Sequence, residues 1–237
     1  MSYLVRSKWV AVLLIIVYTF SGCTHTIPSR ASRAVPVQTS VLYPVKICVF
    51  PFVDKRALEQ QVASKHISWP HYKGQVDFYG KEVEKGLAKA VSEYLVASHV
   101  FAQAETVGFI VNQELLKSQG CQYLLTANIE EFNSSLSVPA LILAIAVAPN
   151  PLFFIMPGIT LVPLIIWPKQ MTFDTVLDQI TLKDLNSGKI IWTGKIEIHE
   201  NKKKISRHIT AKWFLGETAE LVAKEMVQKL KDAKLTF

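Results

Sequence analysis

The chain has 237 residues, half of them hydrophobic, and a formal net charge of +7. That apolar content excludes a chain without a core, and the length fits one domain on a tether or one domain with a large insertion. Two of the positive charges, Arg6 and Lys8, belong to an amino-terminal segment of distinct character.

In that segment the basic start leads into an apolar run from Trp9 to Phe20, which ends in Phe20-Ser21-Gly22-Cys23. A charged amino end, a short apolar core and a small-residue cleavage site make a secretory signal. The run is too short for a spanning helix, which needs ~20 residues. The tetrapeptide resembles the cleavage motif of bacterial lipoproteins, in which an aliphatic and two small residues precede a cysteine, with Phe20 where leucine is usual. The resemblance implies that residues 1–22 are removed and that Cys23 becomes an acylated first residue. At ~0.8 kcal/mol per buried methylene, more than one acyl chain makes a stable anchor in membrane lipid. Thr24 stands where an aspartate would favour the inner membrane, so the family's sorting rule implies the outer membrane, with the folded part in the periplasm.

Loss of Arg6 and Lys8 takes the net charge from +7 to +5. Nucleic acid is not an expected partner in the envelope. The positive balance suits acidic surfaces such as lipid headgroups or cell-wall polymer, or simply a solubilising surface.

Residues 23–43 are expected to form the acylated cysteine and a flexible tether, because Thr24 to Leu42 is rich in Ser, Thr and Pro and has no hydrophobic period. Residues 44–235 are expected to form the domain. Val45 to Phe52 is β-rich and ends at a proline, which predicts a first core strand. Val53 to Val76 is expected to be a polar loop. Asp77 is a candidate cap for a helix whose Val83, Leu87, Val91, Tyr94 and Leu95 share one face.

A short strand over His99 to Gln103 and a helix over Val107 to Ser118, stopped by Gly120, come next. Tyr123, Leu125, Ala127 and Ile129 alternate, which predicts a strand over Gln122 to Phe132. Met171 to Leu185 and Lys189 to His199 predict a hairpin around Asn186-Ser187-Gly188, with Ile190, Trp192, Ile196 and Ile198 on one face. Lys202 to Lys204 read as a tight polar turn. A closing helix over Thr210 to Lys231 aligns Phe214, Leu221, Val222, Met226 and Leu230. The order predicts an α/β fold, an α+β sandwich with helices packed on a mixed sheet of about five strands.

Cys48 falls in the middle of one predicted strand and Cys121 at the start of another, so buried free thiols are expected, although an oxidising periplasm would permit a pair.

Three stretches carry a family resemblance. Val45 to Arg56, with Pro51-Phe52 and the following Asp54 and Arg56, looks like the opening strand of the periplasmic domain at the amino end of TolB, a domain type also found in the curli secretion lipoprotein and in lipoprotein activators of penicillin-binding proteins. Gly120-Cys121-Gln122-Tyr123-Leu124-Leu125-Thr126 is similar to that group's Gly-Ala-x-Tyr-(Leu/Val)-x-Thr-Gly strand, with Ala127 in place of its glycine. Asp184-Leu185-Asn186-Ser187-Gly188-Lys189-Ile190-Ile191-Trp192 resembles its Asp-x-x-(Thr/Ser)-Gly-x-x-x-Trp hairpin. The resemblance implies a periplasmic α/β domain that works through contacts.

An apolar, proline-rich insertion, residues 133–170, departs from that pattern. No charged side chain occurs from Phe132 to Trp167. Its longest proline-free stretch, Ala140 to Ala148, would reach only ~14 Å as a helix, against a hydrocarbon core of ~30 Å. Three arrangements remain open: the segment covers its own domain, it dips into the membrane through Leu152, Phe153, Phe154, Ile155 and Met156, or it packs on copies of itself or another protein. It lacks the apolar-polar alternation of a membrane-spanning hairpin.

The chemistry-bearing residues are sparse. His66 and His71 flank Trp69-Pro70 without further ligands at metal spacing, so no metal or other cofactor is expected. No GxSxG, GxGxxG or GxxxxGK[ST] string occurs. Glu130 and Glu131, with Asp174 and Asp178 on the expected partner strand, read as solvated sheet-end acids. Lys202 to Lys204, Arg207 and His208 read as a polar hairpin tip. The expectation is a non-enzymatic envelope lipoprotein acting as accessory, scaffold or assembly factor on envelope proteins. The alternative is an oligomeric subunit of an export or lipid-trafficking apparatus.

Overall fold

The structure is a computed structural model that describes residues 40–62, 65–68, 73–80, 82–108, 112–139, 169–204 and 211–235. Its spine is the strand β6 (Tyr123–Pro139), one edge of which is shared in turn by three others. β1 (Tyr43–Val49) lies parallel to Tyr123–Leu125, β2 (Val53–Asp54) is parallel at Asn128 and Ile129, and β4 (Lys73–Phe78) is antiparallel along the far half. β1 carries β5 (Phe101–Thr106) in parallel on its outer side, and β4 carries β3 (Lys65–Ser68).

The other edge of β6 pairs with β7 (Lys169–Asp184), antiparallel from Tyr123 opposite Asp184 to Ser137 opposite Gln170. β7 in turn carries β8 (Ile190–Lys204). The result is a mixed eight-stranded sheet with helices packed on it, the expected α/β class. The strand number exceeds the expected five because β2, β3 and β4 occupy the stretch anticipated as a polar loop. β2 is only two residues long, and β4 finds its partner in Ser134–Pro139, residues assigned from sequence to the insertion.

Two bulges explain the misplaced end of β6. Its buried positions run Leu125, Ala127, Ile129 and then Phe132, Ser134, Leu136, so the alternation changes phase across Glu130 and Glu131. β7 has its own extra residue opposite Thr126–Asn128, where Gln179 has φ 48° and its side-chain oxygen accepts from Asn128 Nδ2 at 2.8 Å. An extra residue on a strand bends it and changes which face its side chains take.

Four helices are present among the described residues: α1 (Leu58–Val62), α2 (Val83–Ala97), α3 (Gln113–Ser118) and α4 (Ala211–Asp232). α2 and α4 lie side by side on one sheet face. Val83, Leu87, Val91 and Leu95 of α2 and Val222, Met226 and Leu230 of α4 pack on Ile47, Val49, Leu125, Ile129, Leu177 and Ile196. Asp77 is not the cap of α2: it lies in β4, and Glu82, in a left-handed conformation, precedes the helix without a side-chain cap bond. Lys202–Lys204, expected as a turn, continue β8.

On the opposite face α3 covers a smaller cluster of Leu116, Leu124, Leu185 and a disulfide between Cys48 and Cys121. The expectation of free thiols is therefore wrong. Cys48 points away from the main core, while Cys121 precedes β6 rather than belonging to it. The turn out of α3 brings their Cα atoms to 5.7 Å, well within bonding range.

Candidate functional site

β6 and β7 form one long ladder whose two ends differ in chemistry. At the near end the turn is tied by Asp184, whose carboxylate accepts from the Asn186 amide (2.8 Å) and the Ser187 hydroxyl (2.6 Å). Gly188 takes the positive φ of 72° that completes the turn. The Ser187 and Asn186 bonds hold the Asp184 carboxyl below the usual aspartate range. β1 also begins at this end, since Ile47 is level with Tyr123.

At the far end β6 and β7 leave the described residues at Pro139 and Lys169. The residues between them include most of the uncharged, proline-rich run. β6 alone, 17 residues long, measures roughly 50 Å along its axis at ~3.3 Å per residue. The chain from the amino terminus and the apolar segment therefore join the sheet at opposite ends. Residues 133–139 and 169–170, assigned from sequence to the insertion, are instead sheet residues. Leu152, Phe153, Phe154, Ile155 and Met156 lie outside the described residues, as does Cys23.

The far half of the ladder is supported on its helix side by Leu136, Met171 and Phe173 against Phe214, with Phe78 stacked on Phe214 at 5.0 Å. Ser134 and the Thr218 hydroxyl of α4 share a buried hydrogen bond of 2.5 Å. Its other side is a row of polar side chains in register: His66 on β3, Asp77 on β4, Ser135 on β6, Thr172 on β7 and Asn201 on β8. Ser135 and Thr172 share a hydrogen bond, and Asp77 accepts from Gln75 Nε2 at 2.8 Å.

The sequence-selected titratable groups do not converge. His66 lies 3.9 Å from Asp77, whereas His71 is outside the described residues, as are Arg207 and His208. Asp174 is opposite Asn133 and Asp178 opposite Asn128, so neither faces Glu130 or Glu131 directly. Asp174 instead meets His199 of β8 at 3.0 Å, and that hydrogen bond raises the imidazole above the usual histidine value. Lys202 is engaged by Glu200 (3.2 Å) and Glu217 (3.5 Å) over the Phe173 ring. Among the described residues no group of three His, Cys, Asp or Glu is placed to hold a metal ion, and no helix is long and apolar enough to cross a membrane.

Two surface concavities went unseen in the sequence. One, of about 440 Å³, lies where β1 and β5 end against α3 and includes Lys46, Glu105 and Val107; Lys46 is held there by Glu105 (2.9 Å) and the Gln119 carbonyl (2.9 Å). The other is a groove of about 500 Å³ between β8 and α4, bordered by Glu197, Ile198, His199, Leu221 and Lys224. Its sequence signal is the pair Ile198 and Leu221, each on the apolar face of its own element.

No family model matches the chain, and no curated protein matches its sequence. Among solved structures it is similar to a Xanthomonas campestris protein of the DUF330 family model, at 11% identity over 88% of this chain and 94% of that chain, with a TM-score of 0.47. It is similar also to the PelC dodecamer from Paraburkholderia phytofirmans, at 11% identity over 79% and 92% of the two chains, with a TM-score of 0.31. A third likeness is to lipoprotein GNA1162 from Neisseria meningitidis, at 13% identity over 78% and 99%, with a TM-score of 0.30. These are partial likenesses, at identities too low to carry function across.

Proposed function

We propose that this chain is a non-enzymatic lipoprotein of the bacterial envelope, anchored in the outer membrane through acylated Cys23, whose periplasmic domain acts as an accessory, scaffold or assembly factor. The observation that carries this reading is the separation of the two apolar features. The anchor side joins the sheet at the β1 end, and the segment holding Leu152 to Met156 departs from the opposite end. Thr24 to Leu42 could reach roughly 65 Å if fully extended, so a single membrane could receive both features only with the tether drawn out along the domain or the sheet laid on its side. An apolar segment that leaves the sheet at the end away from the anchor suits a partner protein in the periplasm. A disulfide between Cys48 and Cys121 agrees with an oxidising compartment.

The test is crosslinking in intact envelopes from a photoreactive residue placed at Phe154. Capture of a defined envelope protein, lost in the Phe153→Asp variant, is the expected result. Crosslinks to lipid alone would replace the partner with the bilayer, and persistent export without acylation at Cys23 would overturn the anchor.

A further inference from the structure

β8 is the long open margin of the sheet. The other marginal strands, β3 and β5, have four and six residues, whereas β8 has fifteen and, among the described residues, bonds only β7. An unpaired edge presents a row of backbone donors and acceptors to any strand that fits, and proteins blunt such edges with proline, bulges or charged side chains. Over its central part β8 carries charges of both signs but neither of the other two devices. It has no proline, its register with β7 shifts on the β8 side only near Ile191, and Lys195 is already neutralised by Glu197 at 2.5 Å.

We infer that the occupant of this edge is a second copy of this chain, whose β8 adds antiparallel about a two-fold axis through Ile198. The charges narrow the choice of axis. On the open face Lys195, Glu197 and His199 alternate in sign when His199 is protonated. An axis through Ile198 sets Glu197 against His199 of the copy on both sides of the axis, and Lys195 against Asn201. Moving the axis to Glu197 opposes two carboxylates and sets Lys195 against His199. Moving it to His199 opposes Lys195 and Lys203.

The helix side selects between the remaining registers. Ile198 borders the groove with Leu221 of α4, and the axis through Ile198 brings the two Ile198 side chains together over it. An axis through Ile196 sets Ile198 against the bare Gly194 instead. The groove of about 500 Å³ leaves the flank of β8 beside α4 accessible. Like charges directly opposite one another destabilise strand pairs and opposite charges favour them, so the charge pattern narrows the register to axes through Ile196 or Ile198 and the pair of Ile198 side chains decides between them.

This inference concerns the folded domain and does not depend on the anchor or on the apolar tip. It is tested on the full chain in detergent by sedimentation across a range of concentrations, together with the Glu197→Lys variant, checked for folding by circular dichroism. The expected result is twice the 26.6 kDa chain mass, with dimer dissociation tightened or loosened by charge: Glu197→Lys should weaken it about tenfold. On a Cys23→Ser background, Ile198→Cys should give a covalent dimer on mild oxidation, and Ser187→Cys at the hairpin turn should not. A monomer at all concentrations overturns the inference. So does an oligomer indifferent to Glu197→Lys, or one captured at residue 187 and not at residue 198.

Discussion

Arg56 lies fully buried with its guanidinium gripping the Asp54 carboxylate through Nε (2.9 Å) and Nη2 (2.7 Å). The same group donates to the Tyr79 carbonyl at 2.5 Å and reaches the Phe132 carbonyl at 3.4 Å. One side chain thus joins β2, the chain leaving β4 and the bulged middle of β6. Removing one partner of a buried, hydrogen-bonded pair leaves an uncompensated charge or stranded acceptors, at a cost of about 3–5 kcal/mol. Arg56→Ala and Asp54→Ala should each lower unfolding free energy by that order in urea titration, and the double variant should lose less than the sum.

The disulfide closes a sequence separation of 73 residues between β1 and the start of β6. Constraining so long a loop in the unfolded chain is worth about 4 kcal/mol in the loop-entropy account. Cys48→Ala with Cys121→Ala should therefore unfold at lower denaturant, and a reducing agent should produce the same loss in the unaltered protein. On a Cys23→Ser background, a mass unchanged by thiol alkylation before reduction is the direct check that the pair forms.

Thr175 is fully buried in β7, and its hydroxyl has no hydrogen-bond partner among the described residues. Its methyl-bearing shape is nearly that of valine, so Thr175→Val removes the desolvation cost and keeps the packing. A gain of about 1 kcal/mol in unfolding free energy is expected, on the scale set for buried polar groups left unpaired. A loss would show that the hydroxyl is satisfied in solution.

The regions legible in the sequence were those with unbroken period. α2 and α4 showed their apolar stripes, and the β7–β8 hairpin announced itself through Asp184 to Gly188, where side-chain acceptors and a positive φ are local requirements. What failed was long-range. The phase change at Glu130–Glu131 hid the far half of β6, and with it the partner that makes Lys73–Phe78 a strand. Cys48 and Cys121 looked mismatched because strand position was read without the turn that places Cys121. Arg56 could be noticed only as part of a resemblance, since its burial depends on three segments meeting.

His199 gives the protein a readable response to pH. Its hydrogen bond to Asp174 raises the imidazole above its ordinary 6.5, with further support from the nearby Glu131 and Glu197 carboxylates and opposition from partial desolvation. A group whose folded value is raised contributes stability that is complete below the unfolded value and is lost as pH rises through the folded one. The His199 ring resonances should therefore titrate above those of an unpaired histidine, and Asp174→Asn should bring them down. The same substitution should flatten the stability slope over that window.

The ladder also predicts how the far end tolerates surgery. Pairing between β6 and β7 is continuous to Ser137 opposite Gln170, so the sheet's register is set before the chain reaches residues 140–168. Replacing residues 139–168 by a two-residue Asn-Gly turn closes position 138 on position 169, the next pair of that register, in the hairpin geometry for which such turns are suited. The Phe78–Phe214 stack and the Ser134–Thr218 bond sit below the cut and should persist. The shortened protein should keep its circular dichroism spectrum and lose no more than about 1 kcal/mol of stability, while shedding whatever the apolar tip captures in the envelope. Collapse of the fold on removal would mean that the segment serves its own domain, and the proposed partner contact would fall with it.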